Sequence, residues 1–271
     1  MPESKTVLVT GASSGLGQAT AALLASKGYR VFGTSRKPPS TFKPNGFEML
    51  QLDVDSDESV NACIQALRQK TERMDILVNN AGFSVHGSIE ETSVNEAKAA
   101  FETNFFGVVR LVRAVLPIMR QQGGGQIINV SSISGLVSSP FIAYYCASKF
   151  ALEGYTEALR YEVKRFNIKV SLLEPGYFRS NIGNSSLRAA ASGSIHDYSE
   201  MYQRWFSTIG ESTQSGDNPE RIALTVLQIV ETKSPRLRYL VGSGSGLPRI
   251  RGIVPEFISE AVTRKQWKLD A

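Results

Sequence analysis

Short β-branched apolar runs alternate along the chain with longer stretches in which apolar residues recur every third or fourth position. Lys5 to Thr10, Arg30 to Thr34, Phe47 to Asp53, Asp75 to Asn79, Gln126 to Val130, Asn167 to Leu173 and Arg238 to Val241 read as seven strands. Continuous apolar runs of this length suit strands covered on both faces. Between them, the stretch holding Leu16, Ala19, Leu23 and Leu24, residues 56–71, residues 94–121 and the segment from Tyr145 to about Phe166 carry helical spacing. Asp217-Asn218-Pro219-Glu220 starts a later helix with proline in its first turn, and residues 254–268 read as another. This alternation, without linker or internal repeat, predicts one α/β domain over residues 1–271: a doubly wound three-layer sandwich around a seven-stranded parallel sheet.

Three places break the pattern. Asn104, inside the 94–121 helix, is a poor interior residue and predicts a local distortion. Pro117 marks a second irregularity near that helix's end. Residues 177–216, rich in Ser, Gly, Ala and Tyr, show only weak periodicity.

Composition narrows the function classes. A 42% hydrophobic and 20% charged chain of 271 residues is that of a soluble globular protein. No apolar run approaches the roughly 20 residues needed to cross a bilayer. The N-terminus lacks a signal-peptide layout, so a cytoplasmic protein is expected. The lone cysteines Cys63 and Cys146 read as buried small residues, and the isolated His86 and His196 make no metal site. The net charge of +5 is scattered rather than blocked, which fits an anionic cofactor better than a nucleic-acid track.

The chemistry-bearing positions sit where strands end. After the first strand, Gly11-Ala12-Ser13-Ser14-Gly15-Leu16-Gly17 leads straight into a helix, and strand–glycine turn–helix reads as a phosphate site, or else as a loop that only turns the chain. Gly11 allows the tight turn, Gly15 lets a pyrophosphate approach the backbone, and Gly17 lets helix and strand pack closely; the N–H groups at the helix start then face the anion. The second strand ends in Ser35-Arg36-Lys37, with no acid to bind a ribose 2′-hydroxyl and repel a 2′-phosphate. Arg36 can fork onto such a phosphate, so NADP(H) is preferred over NAD(H). Asp53, followed by Val54, can accept from an adenine amino group, or it can cap the helix beginning near Ser56. Asn79-Asn80-Ala81-Gly82 is a cofactor wall or an asparagine-stabilised turn. Ser131-Ser132 lies at the end of the fifth strand, where open α/β sheets bind ligands.

Tyr145 and Lys149 lie four residues apart, on one face of a helix. A nearby ammonium can lower a tyrosine's pKa by roughly 1–3 units against the upward push of burial. The pair reads as a proton-transfer device.

In this order and spacing, Thr10 to Gly17, Asn79 to Gly82, Asn104, Ser132, Tyr145 with Lys149, and Pro175-Gly176 resemble the short-chain dehydrogenase/reductase superfamily over nearly the whole chain. The resemblance implies a Rossmann-type fold and hydride transfer between a nicotinamide and a carbonyl or secondary alcohol. It implies that Tyr145 is the acid/base, that Ser132 holds the substrate oxygen, and that Lys149 tunes Tyr145 and bonds the nicotinamide ribose. Asn104 would hold a water joining Lys149 to solvent. Gly11, Ser13, Ser14, Gly15, Leu16, Gly17, Arg36, Asp53, Val54, Asn79, Ala81 and Gly82 would line the cofactor, and Pro175, Gly176, Phe178 and Ser180 would cover its carboxamide. Ser180 stands where relatives often carry threonine. Residues 177–216 match the family's variable substrate lid, and relatives pair as homodimers or homotetramers through the helices carrying Asn104 and Tyr145. Phe141, Phe178, Trp205 and Phe206 suggest an apolar small-molecule substrate, or are simply core. The alternative is an NADP(H)-binding sensor that kept the fold without the chemistry; it would be free to lose Ser132, Tyr145 and Lys149. A sugar-nucleotide epimerase of the same fold would usually need a longer chain.

Overall fold

The computed structural model describes residues 4–38, 46–179, 186–244, 246, 248 and 254–267. Seven strands form one all-parallel sheet: β1 (Thr6–Val9), β2 (Arg30–Ser35), β3 (Glu48–Gln51), β4 (Ile76–Asn79), β6 (Gly125–Val130), β7 (Ile168–Pro175) and β9 (Arg238–Val241). Their spatial order is β3-β2-β1-β4-β6-β7-β9. In register, Val7 lies beside Val31 on one side and Ile76 on the other, while Ile127 lies beside Leu77 and Val170. All four residues of β1 and of β4 are buried, as central parallel strands require.

Alternate side chains feed two separate cores. Leu8, Leu77, Ile127 and Val170 pack under α2 (Asp57–Arg68), α4 (Gly107–Gln121) and α5 (Ala143–Val163). Val7, Val9, Ile76, Val78 and Ile128 pack under α1 (Gly15–Ser26) and α7 (Glu220–Glu231). The chain order reverses between β1 and β4, and that switch opens a crevice at the strands' carboxyl ends.

The distortion expected at Asn104 is a π-helical turn, Glu102–Phe106, between α3 (Val94–Phe101) and α4. Pro117 sits inside α4 and does not end it. The described residues of the weakly periodic 177–216 segment, 177–179 and 186–216, hold more regular structure than expected. β8 (Ser186–Arg188) pairs in parallel with β5 (Ser84–His86), and α6 runs from Ser199 to Gln214. In it Met201, Tyr202, Trp205, Phe206 and Ile209 recur at helical spacing, a stripe diluted by the Ser, Gly and Ala in the rest of the segment. A last helix, α8, spans Glu256–Gln266. Among the described residues, no helix is long and apolar enough to cross a membrane, and no cluster of His, Cys, Asp and Glu suits a metal.

Candidate active site

The phosphate end of the crevice is made by backbone. Ala12 N–H donates to the Thr34 carbonyl and Thr10 N–H to Val78, which stitches the glycine turn to β2 and β4. The Thr10 hydroxyl accepts from the N–H groups of Asn80 and Ala81, and the Asn80 amide donates to the Thr10 carbonyl at 2.9 Å. Gly11 has φ +66°, and a Cβ there would approach Ala81 Cα to 3.0 Å. A Cβ on Gly17 would lie 2.3 Å from the Gly11 carbonyl oxygen, so helix and turn touch only because that position is glycine. Gly15, at φ +55°, has open space where a Cβ would sit.

Ser14 is the N-cap of α1 but makes no side-chain cap, and the first turn holds no acid. The orphan N–H groups and the positive end of the helix dipole therefore face the crevice beside the exposed Ser13, Ser14 and Gly15, with Leu16 half-buried behind them. This arrangement fits a pyrophosphate.

Arg36 is exposed one residue beyond β2, and its carbonyl accepts from Gln51. Asp53 does not cap α2: Ser56 does, accepting from Ser59 N–H at 3.1 Å, while Asp53 accepts from Asp55 N–H. Val54 is buried, and Gly107 packs directly against it. Asn79 is buried at the end of β4, donates to Asn129 at 2.8 Å and leaves its Oδ1 without a partner among the described residues.

The reactive end lies at β6 and α5. Val130 closes β6; its carbonyl accepts from Lys149 Nζ at 2.9 Å, and Ser132 follows two residues later. Ser132 opens a short 3₁₀ turn by accepting from Ser134 N–H, and its hydroxyl also meets that of Tyr145. Lys149 Nζ stands 5.8 Å from the centre of the Tyr145 ring. Asn104 is fully buried; its amide bonds both the N–H and the carbonyl of Phe83 and donates to Ser148. A Cβ on Gly82 would touch Asn104 and come within 3.7 Å of Lys149 Nζ. Asn104, Gly82, Ser132, Tyr145 and Lys149 thus converge. Arg36 lies three interstrand spacings away, roughly 14 Å across the sheet. The site is an elongated crevice.

Electrostatics differ from the sequence reading. Burial pushes the Tyr145 phenol up to about 12, opposed by its hydrogen bond with Ser132. Burial also pushes Lys149 down to about 8, opposed by the charge of Glu153. The ammonium is engaged by the Val130 carbonyl, and among these residues desolvation outweighs any acidification of the phenol.

Gly176 packs on Ser243, and its N–H donates to the Val241 carbonyl, so Pro175 and Gly176 continue the edge beside β9. Phe178 turns inward: its ring is buried against Gly242, leaving only its main chain for the crevice. Ser180 lies outside the described residues.

On the other flank Tyr145 borders an aromatic cluster of Phe141, Trp205, Trp267 and Tyr202. Phe141 has φ +60°, a strained conformation for a bulky residue, four positions before the phenol. His86 meets the Tyr202 hydroxyl at 2.7 Å through Nδ1. The sequence reading did not assign His86 a place here, and no local signal links it to residues more than a hundred positions away. It also missed a buried pair, Glu153 and Glu174. The signals for these were an acid one helical turn beyond Lys149 and an acid closing an apolar strand.

Comparison with known proteins agrees with this geometry. The short chain dehydrogenase family model matches residues 5–190. The chain is 40% identical over 236 residues to a 3-ketodihydrosphingosine reductase of Bacteroides thetaiotaomicron, covering 87% of each chain. It is 35% identical to human retinol dehydrogenase 8, covering 86% of this chain and 80% of the other. A short-chain dehydrogenase from Streptomyces avermitilis superposes with a TM-score of 0.83 at 32% identity, over 99% of this chain and 97% of that one. The protein therefore belongs to the short-chain dehydrogenase/reductase family, as an oxidoreductase working between alcohols and carbonyls with NAD or NADP.

Proposed function

We propose that the protein is an NADP(H)-preferring reductase or dehydrogenase of a fairly apolar ketone or secondary alcohol. The observation that carries this reading is the Ser132–Tyr145 contact standing over Lys149, at the end of a crevice whose far end presents an uncapped helix and Arg36. When bound, the nicotinamide supplies or takes the hydride. Tyr145 holds the proton at its hydroxyl and gives it to, or takes it from, the substrate oxygen. Ser132 orients that same oxygen with its hydroxyl. Lys149, held by the Val130 carbonyl, sets the charge beneath the phenol. The Asn104 amide is committed to Phe83 and Ser148, so its part is to fix the wall carrying Gly82 next to Lys149.

The turn from Gly11 to Gly17 would hold the pyrophosphate, and Arg36 the 2′-phosphate. Asp53, Val54, Asn79, Ala81 and Gly82 would line the adenosine and ribose side, and the main chain of Pro175 to Phe178 the carboxamide side. Residues 177–216 would cover the substrate, with the ring cluster around Tyr202 and Trp205 as its apolar surface. Two relatives are named for a sphingoid ketone and for retinol, both hydrocarbon-rich, which supports an apolar substrate. A single catalytic domain that pairs through α4 and α5 completes the proposal; the exposed Phe106 and Tyr161 near those helices support the pairing.

The test is a panel of apolar and polar ketones and alcohols with NADPH and NADH, read by absorbance of the reduced nicotinamide. Apolar carbonyls turned over faster with NADPH are expected. Higher kcat/KM for polar substrates, or for NADH, overturns the corresponding part.

A further inference from the structure

Behind the reactive pair lies a second cluster of ionisable groups that the chemistry above does not use. Glu153 follows Lys149 by one turn of α5, and Glu174 is the penultimate residue of β7. Glu153 is 5% exposed and Glu174 is 0% exposed. Both carboxylates approach the same nitrogen, Arg238 Nε, at 3.2 and 3.3 Å. That nitrogen carries one hydrogen, and it goes to Glu153 Oε2. Arg238 spends a second nitrogen on the half-exposed Glu157. Among the described residues neither oxygen of Glu174 has a hydrogen-bond donor, while Glu153 has the Ser131 hydroxyl beside it.

An ionised carboxylate buried with no donor is costly, and two sharing one cation are costlier. One proton placed between the two acids gives Glu174 a donor to offer and leaves a single negative charge. Burial and the neighbouring acid push the Glu174 carboxyl up to about 8, in keeping with a proton held at neutral pH. Both acids are displaced upward for the same cause.

The cluster touches the site directly. A Cβ placed on Gly135 would meet the Ser131 hydroxyl, the Lys149 carbonyl and Glu153 Cγ at 2.8 to 3.2 Å, so these groups surround one point next to Ser132. The charge of Glu153 is what opposes the desolvation of Lys149. The ionisable groups facing the pair are Lys149 and Glu157 from α5 and Arg238 from β9.

We propose that Glu153 and Glu174 form one proton-sharing unit whose single negative charge keeps the buried Lys149 ammonium charged, making both acids positioning residues for the reaction. This rests on Lys149 serving the reaction as described above, so the test reads the lysine itself rather than turnover. In the full-length protein carrying ¹³C-labelled lysine, the Lys149 side-chain resonance is assigned by its loss in Lys149→Met and followed against pH. Glu153→Gln combined with Glu174→Gln removes the charge, keeps the shape and leaves no acid to take the charge up, and should bring the lysine's titration midpoint down by about 1–3 pH units. Glu174→Gln keeps a donor toward Glu153, so the midpoint should stay where it is.

An unchanged midpoint in the double variant overturns the proposal, as does an equal fall in Glu174→Gln alone. Where the double variant does not fold, infrared spectroscopy of the unmutated protein and Glu174→Gln decides. A protonated-carboxyl band at neutral pH that vanishes in Glu174→Gln supports the shared proton, and no such band overturns it. A midpoint that falls as expected, in a protein whose Lys149→Met variant turns over normally, would leave the linkage intact and remove the lysine's catalytic role.

Discussion

Helices α1 and α5 both begin at the carboxyl edge of the sheet, and neither is closed by a capping side chain. They are built in opposite ways. The start of α1 is exposed, small and made of backbone, and its orphan N–H groups are a standing invitation to an anion. The start of α5 lies beneath Phe141 and Ile142, both buried, and its working groups are side chains whose protonation is governed by desolvation. Two other helices are closed by side chains: Ser56 caps α2, and Ser93 with Glu96 forms a reciprocal capping box on α3. The start of α1 thus depends on backbone geometry and the start of α5 on burial.

Substitutions at each end should separate the two. Tyr145→Phe should lower turnover by roughly 10²–10⁴-fold while NADPH binding, followed by nicotinamide fluorescence, is retained. In the unmutated protein a chemistry-limited oxidation must begin by handing a proton to ionised Tyr145. Since that phenol sits at about 12, the oxidation rate should rise with pH across the neutral and alkaline range; a flat profile would contradict the role.

If Arg36 holds the 2′-phosphate as proposed, Arg36→Asp should remove a charge-assisted contact worth about 1.5–3 kcal/mol, and the Kd for NADPH should rise on the order of 10- to 100-fold while that for NADH moves little.

Gly17→Ala and Gly210→Ala sharpen the contrast through stability. Alanine in a helix ordinarily gains about 1 kcal/mol over glycine. Gly210 in α6 has open space for a Cβ and should show that gain in urea unfolding. Gly17 has the Gly11 carbonyl in the way and should instead lose roughly 1–3 kcal/mol.

The smallest effect separates a cap from an open start. Ser56→Ala should cost about 1 kcal/mol, whereas Ser14→Ala, which breaks no side-chain cap, should leave the unfolding midpoint where it is.

Much of this was legible from spacing. Seven apolar runs became the seven strands of the sheet, and the misplaced Asn104 announced the π-helical turn. The glycine turn could be read because a positive φ and a close approach each demand glycine at a fixed offset. Asp53 could be read only as far as two alternatives; the neighbouring Ser56 took the cap. Residues 177–216 were read as irregular although Met201, Tyr202, Trp205, Phe206 and Ile209 recur at helical spacing; the Ser, Gly and Ala around them masked that stripe, whose Trp205 packs on Phe141, His86 and Trp267. Phe178 carried no sign of which way its ring would turn.

Order along the chain was thus enough to assign the fold, the family and the residues that meet at the crevice, because strand period, helix period and turn chemistry are local. Proton occupancy was not local. Tyr145 and Lys149 are each displaced by burial, and Glu153 of α5, which opposes that at Lys149, meets an acid from β7 and a guanidinium from β9. Desolvation is a property of everything packed around a group, and residues 153, 174 and 238 become neighbours only once the sheet has formed.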